Sequence, residues 1–192
     1  MEPARKLDEY YTYADYCEWD DDERWELIDG TAYLMAPPLR KHQGALIALL
    51  RQFADYLDDK PACKVYIAPF DVLLKAESAE DTKTDTVVQP DLVVICDENK
   101  LFDRGSFGPP DLIIEILSPS TAKYDKTTKY AAYRSAGVRE YWMVDLEDNT
   151  IIVHILNELG DYTAYQYSDS DESISVHVLE DCTIYLGRVF DQ

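Results

Sequence analysis

No run of apolar residues in this 192-residue sequence approaches the length that crosses a bilayer, and no membrane span is expected. The opening residues, MEPARKLDEYYTYADY, lack the hydrophobic core of a secretory signal, so the expected location is cytoplasmic. Cysteine is sparse. Cys17, Cys63, Cys96 and Cys182 form no CxxC pair and no metal-ligand spacing, which argues against a zinc cluster. Cys96, at the end of an apolar run, reads as a small buried hydrophobe. Internal repeats, low-complexity tracts and linkers are also missing, and residues 1–192 are expected to form a single domain with a real core. Basic residues are few. Lys and Arg number 18 against 38 Asp and Glu, for a net charge of −20, which argues against gripping nucleic acid through a broad basic face.

What is there is unevenly spread. Residues 1–30 and 140–192 are strongly acidic, whereas 31–139 is nearly balanced. Inside the balanced part, Ser118 to Arg139 carries Lys123, Lys126, Lys129, Arg134 and Arg139 against Asp125. The acidic ends read as solvated surface, and a groove lined by Lys123, Lys126, Lys129 and Arg134 would suit a phosphate backbone.

Apolar periodicity predicts the elements. Residues 8–19 read as a short helix with Tyr and Trp on one face, and Trp25 to Met35 as a hairpin around Asp29-Gly30. Leu46, Leu49, Leu50, Phe53 and Leu57 form one helical stripe that ends near 58–61. Val65 to Leu74 reads as a strand with Pro69 at an edge or bulge, 77–85 as a loop, and Asp91 to Cys96 as a strand. A turn-rich connection over 97–108 leads to a strand from Asp111 to Leu117. A helix from Asp125 to Ala136 follows, stopped by Gly137, and then a strand from Glu140 to Asp145. Short strands over 151–155, 162–167, 173–178 and 183–186 make a C-terminal meander. The order helix, three strands, helix, strand over about 38–145 gives an α/β (α+β) core. An N-terminal helix and hairpin over 8–36 and C-terminal strands over 150–187 are added to it.

One residue breaks the apolar logic. Glu115 sits inside Leu-Ile-Ile-Glu-Ile-Leu, and a carboxylate in such a strand is costly unless a cation, a metal or a hydrogen-bond network meets it. Strand parity places Asp111, Ile113, Glu115 and Leu117 on one face. If this strand pairs antiparallel with 91–96, Asp91 lies beside Glu115 and the two can share one cation. Asp111 then falls about 13 Å away and caps the connection. Lys129 shares a helix face with Asp125 and Tyr133; it either looks toward Glu115 or pairs with Asp125 on the surface. His42, one turn before Leu46, is either a satisfied core histidine or a group that reaches the site. Two carboxylates with a nearby lysine suggest metal-assisted phosphodiester chemistry.

At these residues the sequence resembles the Uma2 family of endonucleases. The resemblance is carried in order by Trp25-Glu26-Leu27-Ile28-Asp29-Gly30, His42-Gln43, Val88-Gln89-Pro90-Asp91-Leu92 and the stretch from Pro110 to Thr121. It continues through Asp125, Lys129, Tyr133 and the stretch from Gly137 to Asp145. It implies the restriction-endonuclease-like fold of the PD-(D/E)xK superfamily. There, the aspartate of a Pro-Asp pair and the acid of the (D/E)xK triplet hold a divalent ion, and the lysine helps to activate water. Carried over, Asp91 and Glu115 are metal ligands for magnesium, with manganese as a substitute. The triplet Glu115-Ile116-Leu117 departs from the pattern at its third position, and Lys129 stands as the migrated lysine. Asp71, Asp111, His42 and Lys123 are secondary candidates, with Gln43 beside His42. The implied activity is a metal-dependent endonuclease acting on nucleic acid, DNA in the first place, as a homodimer. The alternative is a nuclease-fold module that has lost cleavage and binds or regulates.

Overall fold

The strands around residues 112–117 and 140–145 are apolar on both faces, a pattern tolerated only where both faces are covered. A computed structural model, which describes residues 10–19, 23–119 and 121–191, shows how they are covered. Along the chain, α1 (Tyr13–Glu18) precedes the hairpin β1 (Trp25–Ile28) and β2 (Thr31–Leu34), and α2 (Arg40–Leu57) follows. Six short strands come next: β3 (Lys64–Ile67), β4 (Asp71–Leu73), β5 (Val87–Val88), β6 (Leu92–Ile95), β7 (Leu101–Phe102) and β8 (Gly105–Phe107). Strand β9 (Leu112–Leu117) leads into α3 (Ala122–Tyr124), a π-helical turn over Asp125–Lys129, and α4 (Tyr130–Ala136). Strands β10 (Glu140–Asp145), β11 (Thr150–Leu156), β12 (Tyr162–Ser168), β13 (Ser173–Ser175) and β14 (Thr183–Tyr185) and helix α5 (Gly187–Phe190) complete it.

The main sheet has the order β12-β11-β10-β9-β6-β3. Its central strands β9 and β10 run parallel, which requires the helical crossover between them; β6 and β11 flank this pair antiparallel. Helix α2 covers one face, packing Leu46, Leu49 and Phe53 against Leu92, Ile114 and Trp142. The α3–α4 segment covers the other, packing Tyr124 and Tyr133 against Val93, Ile113 and Tyr141. Each such apolar side chain contributes about 1.5–3 kcal/mol on burial, so the sheet is held from both sides. A second sheet, β2-β1-β5-β4-β8-β7, carries the N-terminal hairpin, and β13 pairs with β14 separately. No helix among the described residues is long and apolar enough to cross a membrane.

Several expectations are revised. The single strand expected over 65–74 is two: the chain turns at the cis Ala68–Pro69 bond, so β3 joins the main sheet and β4 the second. The connection over 97–108 holds β7 and β8, which are too short for any periodicity to show. The C-terminal meander divides: β11 and β12 extend the main sheet, and β13 and β14 form a pair of their own. The helix after β9 starts at Ala122 and includes a π turn, a hydrogen-bonding choice with no mark in composition. The N-terminal helix begins at Tyr13, capped by Thr12 and Asp15; residues 8 and 9 lie outside the described residues, as does Ser120 of the turn after β9. Cys96 is not a free apolar side chain. It is disulfide-bonded to Cys63, 33 residues away, because the antiparallel register Lys64↔Ile95 sets the two opposite each other.

Gly105 pairs with Asp71 in the parallel β4–β8 ladder, and a Cβ there would lie 1.8 Å from the Asp71 carbonyl oxygen. Gly137 ends α4 at φ +87° with nothing within 4 Å of its Cβ position. Gly105→Ala should therefore cost at least about 2–3 kcal/mol through forced backbone movement, and Gly137→Ala about 1 kcal/mol through its left-handed φ alone. Urea unfolding of the two variants side by side checks the ranking, and equal losses would refute the close approach at Gly105.

Candidate active site

The β6–β9 register, Leu92↔Ile114, sets Asp91 across from Glu115 at the mouth of the main sheet. Asp91 is fixed there by Ile116, whose backbone N–H donates to Oδ2 at 2.8 Å. His42, from the first turn of α2, approaches the same oxygen, with Nε2 3.0 Å away. The other ring nitrogen of His42, Nδ1, is buried and has no hydrogen-bond partner among the described residues. Asp91, Glu115, His42, Gln43 and Lys129 line one cavity of about 250 Å³.

Behind Glu115 lies a buried charge cluster. Lys129 is wholly buried, and its ammonium is 2.9 Å from Glu115 Oε1, 2.9 Å from Glu26 Oε1 and 3.8 Å from Asp125 Oδ1. The Tyr133 hydroxyl donates to Glu115 Oε1 at 2.6 Å. The Gln89 backbone N–H donates to Glu26 Oε1 at 2.8 Å. Asp125 and Lys129 stand at the two ends of the π-helical turn, which presents both to the sheet.

One ammonium cannot neutralise three buried carboxylates, so protons take up part of the surplus. Burial pushes the Glu115 carboxyl up to about 8; Lys129 opposes the rise, and Asp91, Asp125 and Glu26 add to it. Burial likewise pushes Asp125 up to about 6 against the pull of Lys129. Burial works against the charge on Lys129, but Glu115, Glu26 and Asp125 overcome it and hold the lysine well above its usual range. Lys129 is therefore a permanent cation that cannot accept a proton from water.

The other expected residues are placed elsewhere. Asp111 lies at the far end of β9, where it accepts from the Cys96 N–H at 2.8 Å and pairs with Arg139 at 2.8 Å. Asp71 is buried in the second sheet, bonded to Tyr16, Gln89 and Arg104. Lys123 is exposed and does not line the cavity. Lys126 pairs with Asp145 and Arg134 with Asp161 at the surface, so Lys123, Lys126, Lys129 and Arg134 do not together line a groove at the cavity wall among the described residues. The reason is helical phase across the π-helical turn. Residues 125, 129 and 133 face the sheet, and 123, 126 and 134 face solvent. The surface pairing of Lys129 with Asp125 is likewise overturned, since both are buried. Glu26 is the residue that sequence reasoning passed over. Its signal was the one that singled out Glu115, a carboxylate within an apolar strand, Trp-Glu-Leu-Ile.

A solved structure shares this mixed α/β fold. The crystal structure of a DUF820 protein from Anabaena variabilis, described as a putative nuclease, superposes with a TM-score of 0.74 over 94% of this chain and 97% of its own, at 15% identity. Over residues 8–187 the sequence matches Uma2, a family described as "putative restriction endonuclease", and the chain belongs to that family. Among its relatives, slr1290, an uncharacterized protein of Synechocystis sp., is 26% identical over 183 residues, 92% of each chain. A second uncharacterized Synechocystis protein, sll1609, is 25% identical over 139 residues, 70% of this chain and 74% of its own.

Removing the lysine strands Glu26 and Glu115. Lys129→Met should cost about 3–5 kcal/mol, the scale for breaking a buried ion pair from one side, whereas Lys126→Met at the surface should cost little. Urea titration distinguishes them. Glu115 also links stability to pH. A carboxyl whose pKa is higher folded than unfolded stabilises fully below the unfolded value of 4.5, and that contribution is lost as pH rises through about 8. Chelator-treated protein should thus melt lower at about pH 8.5 than at about pH 5, and Glu115→Gln should lose less between the two. An unchanged slope in Glu115→Gln would refute the assignment.

Proposed function

We propose that this chain is a metal-dependent nuclease that hydrolyses phosphodiester bonds of nucleic acid, with DNA as the primary substrate class. The observation that carries the reading is the pair Asp91 and Glu115, set across two adjacent strands and facing one cavity, with a permanent cation behind them. Family membership supports the same reaction class.

The donor set fits a hard divalent ion such as magnesium, or manganese in its place. Among the described residues no group of three or more His, Cys, Asp or Glu side chains forms a cage, and magnesium is bound by one or two carboxylates while keeping several waters. The described hydrogen bonds to Asp91 fall on Oδ2 and those to Glu115 on Oε1, so one oxygen of each carboxylate is left for a cation. The carboxylate surplus around Lys129 supplies the electrostatic demand. When bound, such an ion polarises a phosphoryl oxygen and makes a water nucleophilic near neutral pH. The protein's own groups do the rest. Ile116 N–H and His42 hold Asp91, Tyr133 and Lys129 hold Glu115, and the charge of Lys129 offsets negative charge that grows during phosphoryl transfer.

Plasmid, single-stranded DNA and RNA incubated with magnesium, manganese or chelator provide the test. Cleavage should need the ion, and Asp91→Asn and Glu115→Gln should each lower it by at least about 100-fold while melting as folded proteins. No cleavage of any substrate, together with no binding of either ion, would overturn the reading in favour of a nuclease-fold binding module.

A further inference from the structure

The cavity wall contains a second basic residue whose aim is set by an amide that can point only one way. The lysine and arginine side chains that line the cavity among the described residues are Arg24 and Lys129, and Lys129 is enclosed by carboxylates and has no exposed surface. Arg24 is different. It lies one residue before β1, is half-buried, and no described carboxylate pairs with it. Its Nε donates to Gln89 Oε1 at 3.0 Å.

Gln89 cannot turn its amide round. Its Nε2 donates to Asp71 Oδ1 at 3.0 Å and to the Tyr16 hydroxyl oxygen at 2.9 Å, while that hydroxyl donates to the same Asp71 oxygen at 2.9 Å. A flip would place Oε1 against the carboxylate, with two acceptors in contact in a buried site. Gln89 Oε1 is thus fixed toward Arg24. With Nε engaged, the two terminal nitrogens of the guanidinium, which meet no partner among the described residues, form a planar fork that can take two oxygens of one phosphate, a geometry a lysine does not offer. Arg24 and Glu26 stand two residues apart on one segment, and Gln89 and Asp91 two apart on another. The segment that holds Asp91 therefore also orients Arg24.

We propose that Arg24 grips a phosphate of the ligand in this cavity, and that Gln89, locked by Asp71 and Tyr16, is the residue that positions it. The identity of the ligand as nucleic acid rests on the nuclease reading; the phosphate site itself does not. In a chain of net charge −20, a phosphodiester approaching two carboxylates needs such a local cation.

The test uses thymidine 5′-monophosphate as probe, titrated into the full chain with magnesium present, beside steady-state cleavage. Arg24→Gln should weaken mononucleotide binding about 10- to 100-fold, the worth of a charge-assisted hydrogen-bonded contact, with little change in melting temperature. Arg24→Lys should recover part of the affinity, and Gln89→Leu should lose part of it. In cleavage, Arg24→Gln should raise KM more than it lowers kcat, a split that a merely structural role would not produce. Wild-type affinity in Arg24→Gln and Arg24→Lys, or no mononucleotide binding by the wild type at millimolar concentration, overturns the proposal. Arg24-dependent binding without cleavage of any nucleic acid would uphold this site and defeat the nuclease reading. Cleavage with an unchanged KM in Arg24→Gln would do the reverse.

Discussion

A single buried ammonium organises this protein. Lys129 has no exposed surface, yet it stays charged because Glu115, Glu26 and Asp125 surround it. Those carboxylates come from three different parts of the chain, namely a central strand of the main sheet, the N-terminal hairpin and the crossover helix. The hairpin is thus tied by charge to the sheet whose open face it helps to cover. A hydrophobic replacement of matched volume could in principle bind the same elements as firmly. What it could not do is leave a carboxylate surplus at the edge of a cavity. The cluster is a costly way to hold a fold, and the surplus it leaves is what the proposed cation site would draw on.

Two backbone features let this happen. The antiparallel register of β6 and β9 brings Asp91 and Glu115 side by side, and the Ile116 N–H secures Asp91 there. The π-helical turn then carries Asp125 and Lys129 over the same face of the sheet. A regular helix would also have kept residues 125 and 129 on one face, so the wider turn changes where along that face the lysine head lands. Such turns occur disproportionately at functional sites, and here one stands directly over the two carboxylates.

Much of this was legible in the sequence, and what was not has identifiable causes. Glu115 announced itself because long apolar strands do not tolerate a carboxylate without a partner. Glu26 made the same announcement in a four-residue strand, where a polar residue is easily taken for the solvent side of a hairpin. Helical phase was readable for residues 125, 129 and 133, but on a regular helix Lys126 would fall beside Tyr133, so its exposure depends on the π-helical turn and was not readable. The link between Cys63 and Cys96, the split of 65–74 between two sheets and the short strands β7 and β8 all depend on long-range pairing. Local periodicity holds no record of such pairing. Asp71 was noticed as an acid, but its role in orienting Gln89 depends on a contact from Tyr16 of α1 and on the pairing of β4 with β5.

The acidity of the whole chain bears on how a polyanion could be handled. A net charge of −20 gives no long-range steering toward nucleic acid, and Lys126 and Arg134 on the crossover helix are paired with aspartates. Attraction must then be local and conditional. In the proposed nuclease, the carboxylates that repel a phosphate would also attract a divalent cation, so the two occupants would favour each other through one electrostatic balance, each raising the affinity for the other by the same factor. On that account a cavity without its ion should reject substrate as well as fail to cleave it. In the proposed nuclease, the protein's acidity would then serve as a filter that admits nucleic acid only to a metal-loaded site.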